Sequence, residues 1–264
     1  MANNQKYALV TGATNGIGYE LAKQFAQNQY NLLIVARSQE ELDKTASEFK
    51  QQFGTEVVTI AKDLSLRESP FEVCNEIKAK GIQVDALVNN AGQGQYGEFV
   101  DTDINRELEI VDLNIGAYLI LTKYFLREMV ARNEGKVLNV SSVGSEIPGP
   151  LQAVYHATKA FVTSFSEAIR NETKNTNVTV TALLPGPTDT DFFHKADMED
   201  AKMVKEGSKS DPATVAKDGY EGLMAGKDKV VSGLKNKVMA AAGNILPDNV
   251  VAEGMHQQAK PSDK

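Results

Sequence analysis

Tyr7-Ala8-Leu9-Val10-Thr11-Gly12-Ala13-Thr14-Asn15-Gly16-Ile17-Gly18 is the stretch whose reading decides the fold. An apolar, β-branched run, Tyr7–Thr11, passes into a glycine-rich turn and then into a helical pattern in which Ile17, Leu21 and Phe25 recur every four residues. Glycine has no Cβ, so the backbone of such a turn can approach a pyrophosphate closely. The helix that follows aims its N–H groups and the positive end of its dipole at the same anion. Gly12, Thr14, Asn15, Gly16, Ile17 and Gly18 are therefore candidate contacts of a dinucleotide. The spacing is G-x-x-x-G-x-G rather than G-x-G-x-x-G, and glycine-rich turns also occur with no ligand, so the turn needs company.

Working outward, further short apolar runs read as strands at Leu32–Ala36, Val57–Ala61, Val84–Asn89, Lys136–Ser141 and Val178–Leu184. They are nearly continuous in hydrophobicity, as parallel strands covered on both faces are. Helical patterns lie between them, one carrying Leu42, Ala46 and Phe49. Alternating strand and helix predicts an α/β fold, a doubly wound parallel sheet with helices on both faces. Residues 1–264 read as a single domain, with neither an internal repeat nor a linker to divide them. Pro185–Ser210 is long for its place in this rhythm, which predicts a substrate lid over 186–210 or a disordered loop.

The composition is that of a globular protein, 42% hydrophobic and 24% charged, with a formal net charge of −7. The acidic balance argues against a nucleic-acid partner, although a local pocket can still hold an anion. Cys74, the single cysteine, cannot form an internal disulfide and reads as a reduced, half-buried thiol. Met1–Lys6 shows no apolar signal region, and no run reaches the roughly 18 apolar residues of a membrane span. A soluble, cytoplasmic protein is expected, and nothing calls for a metal.

Where the second strand ends, Ile34-Val35-Ala36-Arg37-Ser38 carries no acid. A site for NAD usually offers a carboxylate to the ribose 2′-hydroxyl there, whereas an arginine can pair with a 2′-phosphate. Arg37, aided by Ser38 or Thr14, thus favours NADP (NADPH); the plainer reading is a solvated surface cation. Asp63 and Leu64 after the third strand, and Asn90, Ala91 and Gly92 after the fourth, lie on the same rim. An Asp after a strand is usually a turn former, and Asp63 is also placed to touch the adenine.

Tyr155 and Lys159 are four apart in the helical stretch Leu151–Phe165, so they share a face. A nearby ammonium favours the phenolate and lowers a tyrosine pKa from its usual value near 10. Ser142, 13 residues upstream, ends the fifth strand ahead of a loop containing Gly144, Pro148, Gly149 and Pro150 that can fold back towards them. With these residues in view, the sequence resembles the short-chain dehydrogenase/reductase family. The resemblance rests on Thr11–Gly18, Asn89-Asn90-Ala91-Gly92, Asn114, Ser142, Tyr155-His156-Ala157-Thr158-Lys159 and Pro185-Gly186-Pro187-Thr188, in the family's order and spacing over roughly residues 5 to 190.

The resemblance implies a Rossmann-type fold and an oxidoreductase acting on a small-molecule carbonyl or alcohol. It makes Tyr155 the proton donor to the carbonyl oxygen. Lys159 lowers its pKa and holds the nicotinamide ribose, Ser142 polarises the substrate oxygen, and Asn114 anchors a relaying water. Pro185, Gly186 and Thr188 embrace the carboxamide. Asn114 can instead be a buried residue satisfying a bent helix. His156 points about 100° away from Tyr155 and reads as structural. Phe192, Phe193, Met198 and Met203 read either as lid or as the apolar face of a surface helix.

NADPH-dependent carbonyl reduction is the first expectation, with NAD-dependent alcohol oxidation and a non-catalytic NADP-binding sensor as rivals. A homo-oligomer, dimer or tetramer, is implied, but the end of the chain departs from the family pattern. Lys229–Ser232 is only a brief strand candidate, and 233–264 reads as a variable helical tail with Leu234, Val238, Ile245, Leu246, Val250 and Val251 as scattered apolar positions. That tail can cover the substrate mouth, bind a partner subunit or, least favoured for want of basic residues, rest on a membrane surface.

Overall fold

The structure, a computed structural model, describes residues 5–234, 236–238 and 247–262. Among them, β1 (Tyr7–Thr11), β2 (Asn31–Ala36), β3 (Val57–Ala61), β4 (Ala86–Asn89), β5 (Gly135–Val140), β6 (Val178–Leu184) and β7 (Lys229–Val231) form one sheet. Its order is β3-β2-β1-β4-β5-β6-β7, with every neighbouring pair parallel. Parallel neighbours need crossovers, and the helices supply them: α1 (Gly16–Gln27), α2 (Gln39–Phe53), α3 (Ser69–Ala79), α4 (Ile104–Val111), α5 (Ala117–Arg132) and α6 (Ala153–Glu172).

Strand alternation divides the core in two. Ala8, Val10, Leu32 and Ile34 pack with Leu21 and Phe25 of α1 and with Leu42 and Phe49 of α2. Leu9, Leu33 and Val35 face the other way, against Val73 and Ile77 of α3 and Leu121 and Phe125 of α5. The doubly wound sheet expected from the sequence is therefore the observed fold. From β1 the chain winds outward to β3, then returns to β4 and winds the opposite way. Strand order thus reverses between β1 and β4, and a crevice opens there beyond the strands' C-terminal ends.

Boundaries shift by a residue or two. β4 begins at Ala86 rather than Val84, because Asp85 before it bonds Tyr7 through both its backbone and its carboxylate. α6 begins at Ala153 rather than Leu151, since Leu151 adopts φ +64°, a left-handed conformation incompatible with a helix, and Gln152 takes the N-cap position without a side-chain cap.

The long segment after β6 is ordered. α7 (Phe192–Lys195) and α8 (Lys202–Lys205) enclose a small core of Phe193, Ala196, Met198, Ala201 and Val204, with Phe192, Met203 and Tyr96 packed on it. α9 (Pro212–Met224) then returns to cover α1. The expected tail is helical as α10 (Asp248–Ala259), while Lys235, Ile245, Leu246 and the rest of 239–246 and 263–264 lie outside the described residues. After α10 the chain is tied to the segment around α8. Tyr96 Oη donates to the Ala259 carbonyl at 2.7 Å, Lys202 N to Lys260 O at 2.8 Å, and Ser262 N to Asp200 O at 2.9 Å. Met255 and Gln258 of α10 line the same cavity as Phe192 and Met203.

Candidate active site

The crevice opens into a cleft of about 1320 Å³ running from the β2–β3 end to the segment around α7 and α8. At its floor Gly12 takes φ +65° and Gly16 φ +55°, so both turn positions favour glycine. A Cβ on Gly18 would overlap the Gly12 carbonyl, which fixes how tightly α1 closes on the turn. Asn15 makes no side-chain cap for α1, so the first-turn N–H groups are not taken by a capping side chain. A strand end, a turn with glycine at its two left-handed positions and an uncapped helix start suit a pyrophosphate; the residues fit a dinucleotide.

Asn90 works largely for the protein. Its amide nitrogen donates to Thr11 O at 2.9 Å and Gly12 O at 3.2 Å, while Thr11 Oγ1 accepts from the backbone of Asn90 and Ala91. These bonds lock the β1 turn to the end of β4. Ile17, Ala91 and Leu64 line the same cleft. Asp63 Oδ1 accepts from the Ser65 backbone and hydroxyl, making Asp63 a turn former on the cleft wall.

At the β2 end, Arg37 is exposed and lines the cleft together with Lys62. Ser38 caps α2 by accepting from Glu41 N. Glu41, which no sequence motif marks, accepts the Thr14 hydroxyl at 3.1 Å on this wall. An acid three residues into the next helix reaches the cleft because the helix starts at the rim.

Ser142, Tyr155 and Lys159 come together at the other end. Burial pushes the Tyr155 hydroxyl up to about 12, against a smaller lowering effect of Ser142. Burial pushes the Lys159 ammonium down to about 7, and its Nζ donates to the Val140 carbonyl at 2.9 Å. Lys159 Nζ stands 5.8 Å from the Tyr155 ring centroid and 5.6 Å from that of Tyr118. In the protein alone, burial sets the direction of both shifts. Desolvation disfavours the charged form of each, the phenolate of Tyr155 and the ammonium of Lys159.

The framework around these groups is built from side chains the sequence only partly disclosed. Asn114 is fully buried in a π-helical turn, Asp112–Gly116, between α4 and α5. Its Oδ1 accepts from Gln93 N, and its Nδ2 donates to Gln93 O and Thr158 Oγ1, so both N–H groups are spent on protein. Tyr118, unnoticed in the sequence, is four residues on and donates to the same Val140 carbonyl that Lys159 uses. A Cβ on Gly92 would stand 3.2 Å from Lys159 Nζ and 3.3 Å from Asn114 Oδ1, so the missing side chain makes room for both.

His156 is structural, as expected. Its Nδ1 bonds Ile147 O, Gly144 and Gly149 pack on its ring, and burial lowers its pKa. Pro185 O accepts from Val143 N, Thr188 Oγ1 donates to Gly186 O, and the Gly186 backbone packs against Asn236. All of Pro185, Gly186 and Thr188 line the cleft, and Thr190 bears on Gly16. Phe192 leans on Tyr155 at 5.0 Å between ring centroids, whereas Phe193 and Met198 are core of the segment itself.

Comparison with known proteins agrees with this geometry. The family model described as short chain dehydrogenase matches residues 6–201. The chain is 36% identical over 181 residues to the very-long-chain 3-oxoacyl-CoA reductase of Laccaria bicolor and 35% identical over 187 residues to that of Rattus norvegicus. Each match covers 68% of this chain but only 54% and 58% of those proteins, so the chain spans little more than half of their length. A short-chain dehydrogenase from Sphingobium yanoikuyae, solved in complex with NADPH, superimposes with a TM-score of 0.82 at 25% identity, over 98% of this chain and 99% of that one. No helix among the described residues is long and apolar enough to cross a membrane. With the family pattern matched over most of its length, the chain belongs to the short-chain dehydrogenase family of oxidoreductases.

Proposed function

We propose that the protein reduces a ketone to an alcohol with NADPH, Tyr155 giving the proton. The observation that carries this reading is the meeting of Ser142, Tyr155 and Lys159 in one cleft with a turn suited to a dinucleotide. When bound, the nicotinamide supplies the hydride. Burial keeps the Tyr155 hydroxyl protonated to about pH 12, the form a proton donor needs. Ser142, which acts on the same hydroxyl, polarises the substrate oxygen beside it. Lys159, held by Val140 O, keeps further N–H groups for the ribose hydroxyls. Asn114 acts as a positioning residue, fixing Gln93 and Thr158 around them. Pro185, Gly186 and Thr188 hold the carboxamide.

Arg37 and Lys62 at the β2–β3 end favour a 2′-phosphate, hence NADPH. Glu41 on the same wall is the observation that favours NADH. For the substrate, the names of the relatives suggest a 3-oxoacyl thioester. Phe192, Met203, Leu234, Val238 and Met255 give the cleft apolar walls suited to an acyl chain.

The test is NADPH and NADH consumption against 3-oxoacyl thioesters of increasing length, simple ketones, aldehydes and quinones, with Arg37→Ala alongside. Turnover of keto compounds with NADPH, and a rise of about tenfold or more in NADPH KM in the variant, support the reading. Faster turnover with NADH that Arg37→Ala leaves unchanged overturns the cofactor assignment. Tight NADPH binding with no turnover of any carbonyl returns the protein to the sensor reading.

A further inference from the structure

Gln152, just before α6, is only 7% exposed, yet it lines the cleft. Its side-chain Nε2 is buried without a hydrogen-bond partner. Such a donor is costly to leave unpaired, so a buried orphan on a residue that lines a binding cleft calls for an explanation. The surrounding backbone is fixed. Gln152 N donates to Gly149 O at 3.1 Å, its carbonyl accepts from His156 N in the first turn of α6, and Leu151 before it holds φ +64°.

The space the amide faces is defined by Gly94. A Cβ there would stand 3.0 Å from Phe192 Cζ, 3.3 Å from Gln152 Nε2 and 3.4 Å from Tyr155 Cδ2. The amide nitrogen is therefore packed close to the Tyr155 ring and Phe192, and glycine at position 94 lets the three side chains approach one another. Cδ2 is at the backbone end of the ring, away from the hydroxyl. The amide is thus placed beside the reacting oxygen's site rather than at it, where Ser142 already serves.

We propose that Gln152 determines specificity by donating its side-chain N–H to a second oxygen of the substrate, close to the carbonyl that Tyr155 protonates. The favoured substrates are β-dicarbonyl compounds, 3-oxoesters or 3-oxothioesters, over isolated ketones. The inference rests on the reading of Tyr155 as proton donor given above, and it adds a residue that recognises the second carbonyl. A site built to bond a substrate oxygen discriminates against an analogue that lacks it, because its own donor is then left unpaired.

Ethyl 3-oxohexanoate and 4-nonanone have the same chain length and ketone position, and only the first has ester oxygens. Wild-type protein is expected to prefer the keto ester. Gln152→Met, close in size but without the donor, is expected to lower kcat/KM for the keto ester about 10- to 100-fold, mainly through KM, and to leave the ketone within about threefold. Gln152→Glu puts an acceptor in place of the donor and is expected to lower the keto ester further. Equal effects on both compounds, or no effect on the keto ester, overturn the inference. If the wild type reduces neither compound, the reductase reading fails separately. Calorimetric binding of the keto ester to the NADPH-loaded protein then decides: weakening by Gln152→Met, with an unchanged melting temperature, supports the contact, and equal affinity overturns it.

Discussion

The two ends of the cleft are built in different ways. The dinucleotide end is local: one strand, one turn and one helix, consecutive in the chain, bring Gly12, Gly16 and Gly18 together. The substrate end is assembled from afar. Tyr96 meets Ala259, Lys202 meets Lys260, and Phe192 meets Tyr155. Local construction makes the first end rigid and common to a family, while remote construction lets the second vary in what it accepts.

Breaking the local end should have the largest effect. Gly18→Val drives a side chain into the Gly12 carbonyl, where backbone cannot yield cheaply. It is expected to abolish NADPH binding and to cost about 3 kcal/mol or more in stability, read by cofactor fluorescence and chemical denaturation. A variant that binds NADPH normally would show that the turn is not the cradle.

The same contrast explains what the sequence disclosed. Thr11–Gly18, and the Tyr155–Lys159 pair four apart on a helix, are legible because helix and strand periods alone set their geometry. Ser142 needed a loop to fold back, and the 13-residue spacing carried that information. Tyr118, Glu41 and Gln152 were not singled out. Each matters through a neighbour distant in sequence, although Tyr118 had a readable signal in standing four residues after Asn114. The direction of the Tyr155 and Lys159 shifts was also hidden, since spacing discloses a neighbouring charge but not how deeply the pair is buried.

Lys159 sharpens the comparison from the side of stability. Its folded pKa, about 7, is below its ordinary 10.5. Between those values the unfolded chain holds a proton that the folded chain has released, so stability rises with pH across that window. Below pH 7 both forms hold it, and the penalty of burying the ammonium is felt in full. Lys159→Met is therefore expected to raise the melting temperature at pH 6 by several degrees, and by less at pH 9, while activity falls. A melting temperature lowered equally at both pH values would mean that Lys159 is not a buried cation.

The smallest effect is expected at the remote end. Tyr96→Phe removes the single hydrogen bond to Ala259, worth about 1 kcal/mol. It should raise substrate KM a few-fold and leave NADPH affinity unchanged. Equal weakening of both ligands would show that the tail supports the whole cleft rather than the substrate mouth.

The central claim is that Tyr155 protonates the substrate, and Tyr155→Phe in single-turnover reduction by the NADPH-loaded protein tests it most directly. The account predicts a loss of about 10²- to 10⁴-fold in the rate of NADPH oxidation with NADPH affinity essentially unchanged. A rate within a few-fold of the wild type would contradict it and send the search for the proton donor elsewhere in the cleft.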